Sequence, residues 1–211
     1  MALNQYQPGN PEILEMIHNG QFDRLRVGEI LSGVDLNLPI TDPSDIYGFA
    51  TTYLFEAVQA NNLPAAAFLL ENGADPNLYI SELYNSSALW ELQYIEPEQD
   101  WRTRFEIAKL FFRYGADPDL VCDGEALYDY VCFKVFDDAP NDKNDWENLR
   151  HLFLLLVVYG GGRLTRRVCP ILKDIDINRI DEYDIVIRRH EDGYHLVGKL
   201  IDGNGKEIGI I

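Results

Sequence analysis

The sequence is short of positive charge. Against 35 aspartates and glutamates it carries 18 lysines and arginines, for a formal net charge of −17. That deficit argues against nucleic acid and anionic membrane surfaces as partners, because both carry the same sign. It favours a basic partner, although solubility alone selects for the same property. Cysteine is scarce as well. Cys122, Cys132 and Cys169 are an odd number with no CxxC spacing. They read as reduced thiols, which points to a cytoplasmic protein. Apolar segments such as "LFLLLVVY" (152–159) fall far below the ~20 residues that span a membrane. The first residues, "MALNQYQPGN", have no basic region ahead of an apolar run, so no secretory signal is expected.

Catalytic and metal motifs are missing too. His18, His151, His190 and His195 form no HExxH or HxH group. "YGGG" and "DGNGK" hold glycines without the P-loop spacing, and there is no GxSxG. The acidic loop "DDAPNDKND" (137–145) offers oxygen ligands but lacks the EF-hand spacing and its glycine. No metal, cofactor or enzymatic activity is expected. A hydrolase built on a carboxylate pair finds support only in the abundance of acids.

What the chain does contain is a repeat. "GADP" occurs at 73–76 and again at 115–118, each time just after an apolar helical run. In "TYLFEAVQANNLPAAAFLLENGADPN" (52–77), Thr52 suits a helix N-cap. Leu54, Ala57 and Val58 share one helical face. "ANN" breaks the helix, and a second starts near Pro64. It should bury Ala67, Leu69 and Leu70 in part. Gly73 falls where a helix ends in the left-handed conformation, and "ADPN" is turn chemistry.

This unit resembles the ankyrin repeat. Thr52, Leu54, Ala57, Leu69, Leu70, Gly73, Ala74, Asp75 and Asn77 fall on that family's pattern, while Tyr53 and Phe55 replace its Pro and His. Weaker copies open at "PEILEM" (11–16), "SALWEL" (87–92) and "EALYDY" (125–130). Their closing glycines are Gly33, Gly115 and Gly160. The intervals of 40, 42 and 45 residues exceed the family's period of ~33, and longer helices in the third and fourth units would absorb the excess. A helical solenoid of similar hairpins outside that family satisfies the same pattern. The expected fold is mainly α: an ankyrin-like array over 1–162, a linker over 163–182, and a three-strand antiparallel β-meander over 183–211. The meander follows from "YDIVIRR", "YHLVGKLI" and "KEIGII", joined by turn sequences. Charge marks the same boundary. Residues 1–162 hold 26 acids and 9 bases, whereas the remainder holds 9 of each.

The resemblance implies a non-enzymatic scaffold that binds protein through its concave helical face and its finger tips. In that frame one first-helix position facing the concave side is acidic in all four units: Glu15, Glu56, Glu91 and Asp129. The fingers add Asp42, Asp45 and Tyr47, and then Tyr79, Glu82 and Tyr84. Tyrosine beside acids is good interface chemistry. The expected function is an inhibitor or immunity protein for a basic, nuclease-like toxin or effector. A general adaptor that tethers two proteins is the alternative.

Overall fold

The computed structural model describes residues 7–41, 50–80, 86–136, 142–159, 183–189 and 196–210. Gly160, Cys169, His190, His195 and the 163–182 segment lie outside the described residues, as do Asp42, Asp45, Tyr47, Glu82 and Tyr84. The chain is mainly helical, with eight helices and four small sheets among the described residues. It divides into two compact units, Met1–Ala116 and Asp117–Ile211.

The first unit holds three pairs of helices: α1 (Pro11–His18) with α2 (Arg24–Ile30), α3 (Tyr53–Gln59) with α4 (Leu63–Glu71), and α5 (Ala88–Glu91) with α6 (Trp101–Arg113). The first helices touch in order, α1 on α3 and α3 on α5, and α4 packs on α6. Short strands connect the pairs. β1 (Gln7–Pro8), β2 (Ile40–Thr41) and β3 (Ala50–Thr51) form one sheet, and β4 (Tyr79–Ile80) pairs antiparallel with β5 (Ser86–Ser87).

Local chemistry explains where the helices start. A buried hydroxyl follows or ends a strand and caps the next helix. The Phe55 N–H donates to Thr52 Oγ1 at 3.0 Å, and the Trp90 N–H donates to Ser87 Oγ at 3.0 Å. Each such cap contributes about 1 kcal/mol. Tyr53 does more than fill a proline position. Its buried hydroxyl accepts the Asn10 N–H at 2.8 Å, tying the start of α1 to α3. Burial raises its pKa, and the Asn10 contact opposes that shift.

The helix ends repeat with equal regularity. Gly73 sits at φ +92° and Gly115 at +88°, a region in which a side chain is strained. The turn that follows is stitched to its neighbour. Asn37 donates from Nδ2 to the Gly73 carbonyl at 3.1 Å and accepts the Asp75 N–H at 2.7 Å. Asn77 donates to the Gly115 carbonyl at 2.9 Å. The aspartate two residues earlier holds each asparagine in place: Asp35 Oδ1 accepts the Asn37 N–H, and Asp75 Oδ1 accepts the Asn77 N–H. Thus the Asp and Asn of the repeat have distinct tasks, one shaping its own turn and the other gripping the next.

The core of this unit is Ile13, Ile17, Ala57, Val58, Leu69, Leu89, Leu92, Ile107 and Phe111, all at or below 1% exposure. In α4 the buried alanines are Ala65 and Ala66; Ala67 is only half-buried, whereas Leu69 and Leu70 are buried outright and not just in part. Because α4 packs on both α3 and α6, its buried surface is broader than one stripe. The excess length of the third unit divides between a longer second helix and a connection. α6 has 13 residues against nine in α4, while α5 shrinks to four and is followed by an irregular stretch to Asp100.

In the second unit β6 (Val121–Cys122) and β7 (Glu125–Ala126) pair across Asp123 and Gly124, both at positive φ. Asp-Gly is a sequence suited to so tight a turn. α7 (Leu127–Phe136) packs on α8 (Lys143–Tyr159). From Leu152 to Val157 every residue of α8 is buried, so this helix is apolar all round there. β8 (Tyr183–Arg189), β9 (Leu196–Asp202) and β10 (Glu207–Ile210) form an antiparallel sheet in sequence order, and β8 contacts α8. No helix of the described residues is long and apolar enough to cross a membrane.

Candidate functional site

The acidic positions come from equivalent places on successive helices. Glu56 and Glu91 each lie four residues after a capping hydroxyl, Thr52 and Ser87. Glu15 and Glu56 each accept, through the carbonyl, the N–H of the C-cap residue four positions on, at 2.9 Å in both cases. α1 has one more residue than α3, and it is added at the N-terminal end, so the two glutamates coincide in the C-terminal register. The contacts of α1 with α3 and of α3 with α5 thus join helices that each carry a glutamate near the C-terminal end.

Their surroundings differ, and neither Glu56 nor Glu91 is freely exposed. Glu15 is exposed. The Glu56 side chain is 13% exposed and pairs with His18, with Nε2 at 2.8 Å from its carboxylate. Glu91 is half-buried. Burial pushes its pKa up to about 7; Arg104 pulls it down, and Glu56 and Glu96 push it further up. Asp129 is exposed on α7, in the second unit. Tyr79, on β4, is 39% exposed. The finger residues Asp42, Asp45, Tyr47, Glu82 and Tyr84 lie outside the described residues.

Arg104 is the residue that sequence reasoning missed. It is 2% exposed, one of the largest fully buried side chains among the described residues. It donates to the Val58 carbonyl and, from Nη2, to Gln99 Oε1 at 2.8 Å. Register explains its presence. Asn62 lies eleven residues before Gly73, and Arg104 lies eleven before Gly115. Asn62 caps α4 by accepting the Ala65 N–H, and its Nδ2 donates to the Ile17 carbonyl at 2.8 Å. Ile17 and Val58 are themselves equivalent, each two residues after its glutamate. Arg104 thus makes the same bond in the next unit. The start of α6 has moved upstream to Trp101, with Asp100 at the cap. Position 104 is then inside the helix, and a longer side chain is required to reach the carbonyl. Burying a guanidinium is costly unless it is paired. Its pKa falls to about 10 through burial, against the pull of Glu91 and Glu96. Glu91 is accordingly in part an internal counter-charge.

The connection after α5 is fastened to α3 by the same group of residues. Gln99 Nε2 donates to the Gln59 carbonyl at 2.7 Å, and Asn61 Nδ2 donates to the Asp100 carbonyl at 3.0 Å. A small hollow nearby in sequence is lined by Ala50, Thr51, Phe55, Ile80 and Ser86. Among the described residues no cluster of His, Cys, Asp and Glu could hold a metal ion. Asp142, from the acidic loop, accepts the N–H groups of Asn144 and Asp145 at the start of α8, and so serves as helix-start chemistry. Neither the family models nor the curated proteins searched contain a match to this chain.

Proposed function

We propose that this chain is a non-enzymatic, cytoplasmic protein-binding scaffold built as an ankyrin-like solenoid of helical hairpins with a C-terminal β-meander. It acts as an inhibitor or immunity protein that engages a basic partner, of the nuclease-toxin class, through an acidic face. The observation that carries this reading is the recurrence of a glutamate near the end of each first helix, α1, α3 and α5, on a chain of net charge −17. Such a face steers a cationic partner and raises the association rate. The asparagine-to-turn stitching and the left-handed glycines support the ankyrin-like frame.

Glu15 in the first unit and Asp129 in the second are each exposed, so they are two independent positions to reverse. The first experiment is capture with the tagged full chain from its own cells, with proteins identified by mass spectrometry. It should return a strongly basic protein. The Glu15→Lys/Asp129→Lys variant should then weaken capture at low salt. Glu29→Lys/Glu71→Lys, an equal charge change on the second helices α2 and α4, should not. Equal losses from both pairs would reduce the face to bulk charge, and an acidic captured partner would overturn the reading.

A further inference from the structure

Asn61 and Arg104 lie side by side between two carbonyls. The Val58 carbonyl accepts the Asn61 backbone N–H at 2.8 Å and an N–H from Arg104 Nη1. The Asp100 carbonyl accepts from Asn61 Nδ2 at 3.0 Å and from the Arg104 backbone N–H at 3.3 Å. Both residues are thus pinned at two shared points, and each has one buried polar atom left over. Arg104 Nε is bonded to the same carbon as Nη1, and Asn61 Oδ1 to the same carbon as Nδ2. Neither atom has a hydrogen-bond partner among the described residues. Turning the Asn61 amide over does not help, because its oxygen would then face the Asp100 carbonyl, acceptor on acceptor. Leaving such groups dry and unpaired is costly, most of all on a guanidinium that is buried.

We propose that Asn61 and Arg104 bind one internal water at the joint of α3, the connection after α5 and α6, a water that accepts from Arg104 Nε and donates to Asn61 Oδ1. The chemistry of the two atoms selects the ligand. Nε–H can only donate, and an amide oxygen can only accept. An anion could take the first bond and not make the second, and a metal or ammonium ion could make the second and not take the first. Water does both, and its second hydrogen is left for the Val58 or Asp100 carbonyl that the two residues already share. Internal waters of this kind serve buried polar groups that the chain itself leaves over. The water gives each of the three Arg104 nitrogens a partner, since Nη1 is on Val58 and Nη2 is on Gln99. It also makes Asn61, in the turn after α3, part of the grip on the connection.

The test uses the full chain without any partner. A crystal structure at a resolution that orders water should place one oxygen about 2.7–3.2 Å from both Arg104 Nε and Asn61 Oδ1. In solution, the Arg104 Hε resonance, identified by its loss in Arg104→Lys, should show NOE and ROE contacts to water of opposite sign. That sign pattern marks a held water and separates it from proton exchange. Asn61 has φ +53°. Asn61→Gly keeps that backbone conformation accessible and deletes Oδ1, so the water contact at Arg104 Hε should be lost. A crystal structure with no oxygen there, with an ion there, or with a direct bond from Nε–H to Oδ1 would overturn the proposal. So would a water contact unchanged in Asn61→Gly. Should either variant fail to fold, the crystal structure of the unaltered chain decides.

Discussion

The seam between the first and second hairpins and the seam between the second and third make the same hydrogen bond with different chemistry. In the first, neutral Asn62 reaches the Ile17 carbonyl and caps its own helix with its other atom. In the second, Arg104 reaches the Val58 carbonyl from inside a helix that has grown at its start. The first solution uses one small side chain and introduces no charge. The second brings a buried cation, which in turn requires Gln99 and acts on Glu91 and Glu96. Lengthening one helix by four residues thus changes the electrostatics around Glu91 and Glu96. A repeat can preserve a backbone contact while replacing everything that surrounds it.

The largest effect should come from breaking the charged seam. Arg104→Ala removes a fully buried side chain and leaves the Val58 carbonyl without its donor, a loss of about 3–5 kcal/mol. It also removes the cation that pulls Glu91 down, so the Glu91 midpoint should climb further. Urea unfolding with the Arg104→Met/Glu91→Gln pair sharpens the comparison. If the charges are coupled, the double variant should be more stable than the sum of the two single changes allows. Simple additivity would mean that Arg104 acts through packing and its bonds to Val58 and Gln99, and not through Glu91. The neutral seam should be less costly to break. Asn62→Ala removes a cap and one buried hydrogen bond, about 2 kcal/mol together, and its cost should not depend on pH between 5 and 8. A pH-dependent cost would erase the distinction between the seams.

The hairpin boundaries were legible because they are local chemistry. Thr52 is the cap that its sequence position suggests, and Gly73 takes the positive φ that ends a helix. Gly73→Val should therefore cost about 1–2 kcal/mol by thermal unfolding, through backbone strain alone, since a Cβ there would meet nothing within 4 Å. That Glu56 and Glu91 each lie four residues after a capping hydroxyl was legible too, because it is a matter of spacing alone. Their exposure was not. Burial of Glu91 depends on where the 92–100 connection settles, and that is a tertiary outcome. Arg104 was hidden for a related reason. Within "DWRTRFEIAKLFFRYG" it reads as one more charged residue on an amphipathic helix, and only its alignment with Asn62, eleven residues before the glycine, marks it as the seam residue. The Asp-Gly turn between β6 and β7 carried a readable signal that the repeat frame overshadowed.

The smallest effect should lie at the turns, where the contacts between units are exposed. Asn37 joins two successive turns with both side-chain atoms, accepting from Asp75 and donating to Gly73. Asn62 also uses both of its atoms, so the two asparagines form a matched pair that differs mainly in burial: Asn62 is 6% exposed, whereas both Asn37 bonds are exposed. When Asn37→Ala removes its bonds, water takes over the freed carbonyl and N–H, and the loss should be about 1 kcal/mol or less. When Asn62→Ala removes its bonds, no water replaces the partner of the Ile17 carbonyl, so the full desolvation penalty remains. Urea unfolding of the two variants side by side should therefore give the larger shift in midpoint for Asn62→Ala, with the slope unchanged in both. Equal shifts would mean that the exposed stitching between turns holds the hairpins in register as firmly as the buried seam does, and the contrast between Asn62 and Arg104 would then matter less to stability than to the charge around Glu91 and Glu96.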